Sequence, residues 1–113
     1  MEILKCKEII KAVEGKLLSG SLEADFSNIT TDSRTVKNGD FFVPLVGEKF
    51  DGHDYILASF EKGASGCFTQ KATKGFDGKI VIKVEDTLVA LRKLSAYYRQ
   101  KFDIPFVGIN NLR

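Results

Sequence analysis

The sequence predicts a single small α/β domain with a mixed sheet and about three helices. Strand-length apolar runs at 41–46, 66–69 and 79–84 alternate along the chain with helix-period stripes at 6–13, from about 54, and after 86. A length of 113 residues, 43% of them hydrophobic and 11% aromatic, suits one compact domain and argues against a disordered chain. No stretch approaches the roughly 20 consecutive apolar residues of a membrane-spanning helix. The start, Met1-Glu2-Ile3-Leu4-Lys5, lacks the basic flank and apolar run of a secretion signal.

The elements follow from local patterns. Cys6, Ile9, Ile10 and Val13 recur at i, i+3, i+4 and i+7 and give a short helix one apolar stripe, with Gly15 as its left-handed stop. Residues 26–31 read as a short extended segment, followed by Asp32-Ser33-Arg34 and a turn at Lys37-Asn38-Gly39-Asp40, where Asn-Gly supplies positive φ. The run 41–46 is apolar on both faces and reads as a buried strand, with Pro44 marking an edge or bulge because it lacks a donor. A polar loop at 47–53 leads into a helix from about Asp54, with Ile56, Leu57 and Phe60 inward and an end at Gly63. Two short strands at 66–69 and 79–84 flank a Gly- and Lys-rich turn. Asp86 caps the last helix, whose inner face carries Leu88, Leu91, Leu94 and Tyr98 and whose later turns gather Arg92, Lys93, Arg99 and Lys101. Pro105 opens a final strand at 106–109.

Charge and cysteine content narrow the function. Seventeen Lys plus Arg against fifteen Asp plus Glu interleave along the chain, so no basic stripe marks a nucleic-acid site. The two cysteines, Cys6 and Cys67, stand far apart in apolar surroundings, unlike a metal-ligand pair or a disulfide framework. They read as reduced, buried thiols of a soluble, cytoplasmic protein that engages neither nucleic acid nor membrane.

Residues able to carry catalysis are sparse. The single histidine, His53, reads as a loop residue hydrogen-bonded to backbone at the start of a helix, and Asp32 and Asp51 as caps and turn formers. No catalytic residue and no metal ligand set emerges. Two polar loops, each at the end of an apolar strand, are more informative, since ligands of α/β domains sit at such loops. Segment 31–34 offers two hydroxyls, a carboxylate and a guanidinium. Segment 47–53 offers glycine backbone, Lys49 and the aromatic face of Phe50. Arg34 or Lys49 suits a phosphate, Thr31 and Ser33 a base or ribose, and Phe50 a ring.

The ordered set Thr31-Asp32-Ser33-Arg34, Gly39-Asp40-Phe41-Phe42-Val43, Gly47-Glu48-Lys49-Phe50-Asp51-Gly52-His53-Asp54 and Gly63-Ala64 resembles the N-terminal domain of the Mur ligases of peptidoglycan synthesis. Asp86-Thr87-Leu88-Val89-Ala90-Leu91 and Tyr97-Tyr98-Arg99-Gln100-Lys101-Phe102 are similar to the branch of MurF type that joins D-alanyl-D-alanine to UDP-N-acetylmuramoyl-tripeptide. The sibling branch that adds the third stem-peptide residue shares the Asp-Ser-Arg and Asp-Gly signals. The likeness covers roughly residues 25–109.

The resemblance implies a three-domain ligase whose first domain holds the UDP end of a UDP-N-acetylmuramoyl-peptide, whose central domain binds ATP and magnesium, and whose third helps place the amine. Carried onto this sequence, it implies UDP contacts at Thr31 and Ser33 and a second group at Glu48, Lys49 and Phe50, partly through backbone. Arg34 buttresses its loop or reaches the pyrophosphate, while Asp32, Asp51, Gly52 and His53 support the loops. In complete ligases the strand matching 106–109 runs into a Gly-x-Gly-Lys-Thr phosphate loop, whereas this sequence reads Asn110-Asn111-Leu112-Arg113. The expectation is a UDP-substrate-binding domain over 1–109 and a short tail at 110–113 where the ATP-binding central domain would begin. On this reading the polypeptide needs no cofactor of its own and is inactive without the central and C-terminal ligase domains. The alternative readings are a non-catalytic nucleotide-binding or protein-interaction module, with exposed aromatic surface at Tyr97, or the equivalent domain of the ligase that adds the third stem-peptide residue.

Overall fold

The computed structural model describes residues 1–71 and 76–103. Its elements in chain order are β1 (Leu4–Lys5), α1 (Cys6–Val13), β2 (Lys16–Ser19), β3 (Asp25–Phe26), β4 (Ile29–Thr30), β5 (Phe41–Phe42), α2 (Ile56–Glu61), β6 (Gly66–Thr69), β7 (Ile80–Lys83) and α3 (Thr87–Lys101), with 3-10 turns at Ser33–Thr35 and Gly52–Tyr55. Five strands form one sheet in the order β2-β7-β6-β5-β4. β4, β5, β6 and β7 run parallel, and β2 lies antiparallel against β7, so the sheet is mixed, as the sequence predicts. β1 and β3 form a separate antiparallel pair.

Strand alternation sorts the core into two layers. Phe41, Val43, Phe68, Ile80 and Ile82 face the layer that holds α1 and α3, where they meet Leu4, Ile9, Val13, Leu91 and Leu94. Phe42, Cys67 and Val81, each the next or preceding residue on its strand, face the opposite layer with Val36, Ile56 and Ala64. Phe26, Phe41 and Phe68 pack edge to face with centroids 4.9 and 4.8 Å apart, which joins β3 to the centre of the main sheet. Both cysteines are fully buried and free.

Caps and turns fall largely where the sequence puts them. Asp86 accepts from the backbone N–H groups of Leu88 and Val89 at 2.9 and 3.1 Å and starts α3. Gly39 and Gly63 take φ of 88° and 112° at the predicted turn and helix stop. No helix among the described residues is long and apolar enough to cross a membrane.

Several local expectations require correction. The left-handed residue closing α1 is Glu14, φ 56°, and not Gly15. Gly15 instead permits close packing, since a Cβ there would stand 2.6 Å from Ile82 Cγ2. The segment 26–31 is not one strand: β3 and β4 belong to different sheets, and the chain changes sheet between Phe26 and Ile29. In the 41–46 run only Phe41 and Phe42 pair as strand, with β4 on one side and β6 on the other. Pro44 therefore sits beyond the ladder, and its missing donor costs nothing.

The second helix is preceded by a 3-10 turn; its inward face is Ile56 and Ser59 with the half-buried Phe60 packed on the same cluster, while Leu57 is exposed. Leu88 is likewise exposed, at the first turn of α3, where Thr87 takes the inner place. Tyr97 is not free aromatic surface, because its hydroxyl donates to Glu8 Oε2 at 2.6 Å across the α1–α3 contact. The strands β1 and β2 had no counterpart in the sequence reading, and the predicted strand at 106–109 lies outside the described residues.

Candidate functional site

β4 and β5 are parallel, so the loops leaving their carboxyl ends emerge side by side. The first loop is knitted by its own polar groups. Thr30 Oγ1 accepts the Asp32 N–H at 3.1 Å, and Asp32 caps the 3-10 turn by accepting the Arg34 N–H at 2.9 Å. The same carboxylate receives Arg34 Nε and Nη2, each at 3.0 Å, in a two-point grip. These hydrogen bonds from the Arg34 side chain and backbone hold the Asp32 carboxyl below its usual range. Arg34 nevertheless keeps 86% of its side chain exposed. Just past the end of α2, Lys62 Nζ donates to the Arg34 carbonyl at 3.3 Å and ties the turn to its neighbour.

The second loop leaves β5 through Val43–Leu45. Val46 bridges to Asp51, and the Gly47 N–H donates to the Phe50 carbonyl at 2.7 Å, which closes a tight turn with Glu48 and Lys49 at its exposed tip. The Gly52 N–H donates to the Leu45 carbonyl at 2.7 Å. A Cβ on Gly52 would lie 2.7 Å from Leu45 N and 2.8 Å from Pro44 Cα, so only glycine lets the two backbones meet.

Asp51 repeats what Asp32 does in the first loop. It caps a 3-10 turn by accepting the N–H of the residue two positions on, His53, and also binds that residue's side chain, Oδ1 to Nδ1 at 2.7 Å. Its carboxyl is held below the usual range, chiefly by the backbone N–H of His53 and then by the imidazole. His53 Nε2 accepts the backbone N–H of Gln70 at 2.9 Å, so the histidine is bonded to backbone at a helical turn.

Phe50 and Tyr55 flank this capped turn and stack with centroids 5.5 Å apart at 16°, although they are 54% and 42% exposed. Together with Thr31, Asp32, Ser33, Arg34 and Phe42 they line an open groove of about 520 Å³. The structure thus brings segment 31–34 and Phe50 to one surface. Glu48 and Lys49 stand exposed on the loop tip, and neither they nor Asp51, Gly52 and His53 line the groove. Tyr55 was missed by sequence reasoning: placed one residue inside a presumed helix, it had no assigned face. An aromatic five residues after Phe50 and directly after the Asp-Gly-His-Asp turn was the available signal.

This groove offers a flat apolar face, two hydroxyls and a guanidinium, a set suited to a heteroaromatic ring joined to an anionic group. Among the described residues no three His, Cys, Asp or Glu side chains gather as a metal site.

Comparison with known proteins places the chain in a family. Residues 25–99 match the Mur ligase family, catalytic domain. The UDP-N-acetylmuramoyl-tripeptide–D-alanyl-D-alanine ligase of Synechocystis sp. is 42% identical over 85 residues, covering 74% of this chain and 18% of that protein. The UDP-N-acetylmuramoyl-L-alanyl-D-glutamate–2,6-diaminopimelate ligase of Geobacter metallireducens is 32% identical over 108 residues, covering 94% of this chain and 21% of that one. Among solved structures, MurF from Acinetobacter baumannii superposes with a TM-score of 0.79 and 26% identity, over 89% of this chain and 22% of its own. The chain spans about a fifth of the length of the curated relatives it matches. Sequence match and shared fold lead to the same place: the chain belongs to the Mur ligase family.

Proposed function

We propose that residues 1–109 are the UDP-substrate-binding domain of an ATP-dependent amide ligase of the cytoplasm, one that adds D-alanyl-D-alanine to UDP-N-acetylmuramoyl-tripeptide, with residues 110–113 leading toward its ATP-binding central domain. The observation that carries this reading is the groove itself, where an exposed, parallel aromatic pair faces a hydroxyl- and guanidinium-bearing turn. In this reading the uracil lies against Phe50 and Tyr55, and Thr31 and Ser33 meet the base or ribose. Arg34, its fork half occupied by Asp32, turns its remaining N–H groups toward the pyrophosphate, and Lys49 approaches from the loop tip together with the backbone of residues 48–50.

Binding at this end lies far from the bond being made. Its use to a ligase is to hold the substrate so that the terminal carboxylate stays in register with the reacting groups. ATP and magnesium belong to the parent enzyme's central domain, in keeping with the MurF ligase of Thermotoga maritima, a structural relative of this chain solved in complex with ADP.

The test is a titration of the 15N-labelled chain with UDP, followed by backbone resonances. Shifts concentrated at Ser33, Phe50 and Tyr55 are expected. A spectrum unchanged at millimolar UDP overturns the proposal.

A second reading, the ligase that adds the third stem-peptide residue, is favoured by relatives of that activity that match 94% of this chain at 32% and 35% identity. The two readings share the nucleotide groove and part at the amine. Turnover of the parent ligase with D-alanyl-D-alanine and not with a diamino acid supports the first, and the reverse preference supports the second.

A further inference from the structure

A chain of hydrogen bonds runs from Asp51, next in sequence to the groove residue Phe50, to the first turn of α3. Asp51 Oδ1 meets His53 Nδ1 at 2.7 Å, and His53 Nε2 meets the Gln70 N–H at 2.9 Å. Gln70 Oε1 in turn accepts from Thr87 N at 2.9 Å and Thr87 Oγ1 at 3.2 Å, at the first turn of α3. The His53 side chain is only 4% exposed.

This geometry fixes the tautomer. The Gln70 N–H is a donor under all conditions, so the nitrogen facing it must be an unprotonated acceptor, and the neutral ring's hydrogen sits on Nδ1. That hydrogen points at the Asp51 carboxylate. Both ring nitrogens are then committed to the protein, and neither is left for a metal or a ligand. What His53 holds is the 3-10 turn Gly52–Tyr55, whose last residue is Tyr55, while the residue before Asp51 is Phe50. The two stacked rings therefore bracket the Asp51–His53 junction in sequence, Phe50 directly before Asp51 and Tyr55 closing the turn.

We infer that His53 is a positioning residue for the groove: as the Nδ1–H tautomer it pins the 52–55 turn to the end of β6 and so fixes Tyr55 against Phe50. The effect on affinity rests on the nucleotide reading above, whereas the tautomer and the ring geometry do not.

His53 is the single histidine of the sequence, so NMR of the 113-residue chain carrying 15N-histidine reads its ring without ambiguity. The expected spectrum is that of a fixed Nδ1–H ring. An Nε2–H ring, or one averaged by solvent exchange, overturns the inference. Two variants then separate positioning from bulk packing. His53→Gln keeps an acceptor oxygen at the place of Nε2, and His53→Phe keeps a ring but neither bond.

His53→Phe should weaken UDP binding about fivefold or more, and His53→Gln should recover most of the loss. Equal UDP affinity in wild type and folded His53→Phe overturns the inference, as does a His53→Gln as weak as His53→Phe. If wild type takes no UDP, the nucleotide reading fails by itself. The positioning is then decided by the Phe50–Tyr55 ring-to-ring NOEs, retained in His53→Gln and lost in His53→Phe; their persistence in both variants overturns it. Should His53→Phe not fold, the ring tautomer and these NOEs in His53→Gln against wild type decide the matter.

Discussion

A single oxygen of Asp51 holds His53 at two points, accepting its backbone N–H at 2.9 Å and its imidazole Nδ1 at 2.7 Å. The carboxylate thereby serves as a helix-type cap and as an anchor for the buried ring at once. Asp51→Ala removes both bonds and leaves the Nδ1–H of a 4%-exposed side chain without its acceptor. The expected cost is about 1–3 kcal/mol of folding stability, from the lost cap and the unsatisfied donor. Urea denaturation of the variant beside wild type measures it.

Phe50 presents the opposite case, a ring that contributes more to the groove than to the fold. It is 54% exposed and its ring contact is Tyr55. Phe50→Ala should leave the denaturation midpoint nearly unchanged. UDP binding by calorimetry should weaken by about 1–3 kcal/mol, the range for removing an aromatic platform beneath a base.

Gly52→Ala probes the floor of the same loop. The added Cβ meets Leu45 N at 2.7 Å, Pro44 Cα at 2.8 Å and Leu45 O at 2.9 Å, all backbone atoms that cannot step aside as a side-chain tip can. A loss of about 1–3 kcal/mol in stability is expected from the forced backbone shift. The Gly52 N–H to Leu45 carbonyl bond should also open, and hydrogen exchange at the Gly52 amide reads that directly.

Glu8 gives the fold a pH dependence of known sign. Lys101 Nζ, the Tyr97 hydroxyl and the Lys5 N–H all converge on its carboxylate, and the first two come from α3. These bonds, that from Lys101 foremost, lower its pKa from 4.5 to about 2. A depressed carboxylate stabilises the folded state above the unfolded pKa and ceases to do so as protons bind to the folded form. The contribution is therefore complete above about pH 4.5 and disappears as the pH falls toward 2. Glu8→Gln should be less stable than wild type at neutral pH, and the difference should shrink across that window in acid titrations of the urea midpoint.

Neither cysteine should behave as a reactive thiol. Both are fully buried, and burial pushes Cys67 up to about 12, far from the thiolate form at neutral pH. Cys6 is raised by the same cause. In the folded chain a thiol-specific chromogenic reagent should label neither residue at pH 8 on the timescale that labels the urea-unfolded chain completely.

What the sequence made readable was what repeats or caps locally. Phe41-Phe42-Val43 and Ile80-Val81-Ile82 announce two-sided burial, Asp86 announces a helix start, and Asn38-Gly39 a turn. What escaped depended on partners distant in the chain. β1 exists because Leu4 and Lys5 pair with Phe26 and Asp25, and β2 because Lys16 and Leu17 pair with Lys83 and Ile82, relations that no local period encodes. Leu57 and Leu88 were placed inward by spacing alone, while the true register is set by where a 3-10 turn yields to α-helix and where the sheet ends. At the site, the chemistry of Thr31–Arg34 and Phe50 was visible as residue types. The Asp51–His53–Gln70 linkage and the Phe50–Tyr55 stack needed the fold, because Gln70 lies 17 residues beyond His53.

The α1–α3 clasp also sets a timetable for biogenesis. Glu8 and Tyr97 are separated by 89 residues, and the Glu2 amide finds the Tyr98 hydroxyl across 96. On a ribosome adding roughly 5–20 residues per second, the first helix waits on the order of ten seconds for its partner to be made. Through that interval the side of its apolar stripe that packs on α3 has no permanent cover, although the sheet residues that meet the rest of it are made sooner. A nascent chain released early would thus carry that side bare into the cell, and the yield of folded product should depend on holdase chaperones more than the small size of the domain would imply.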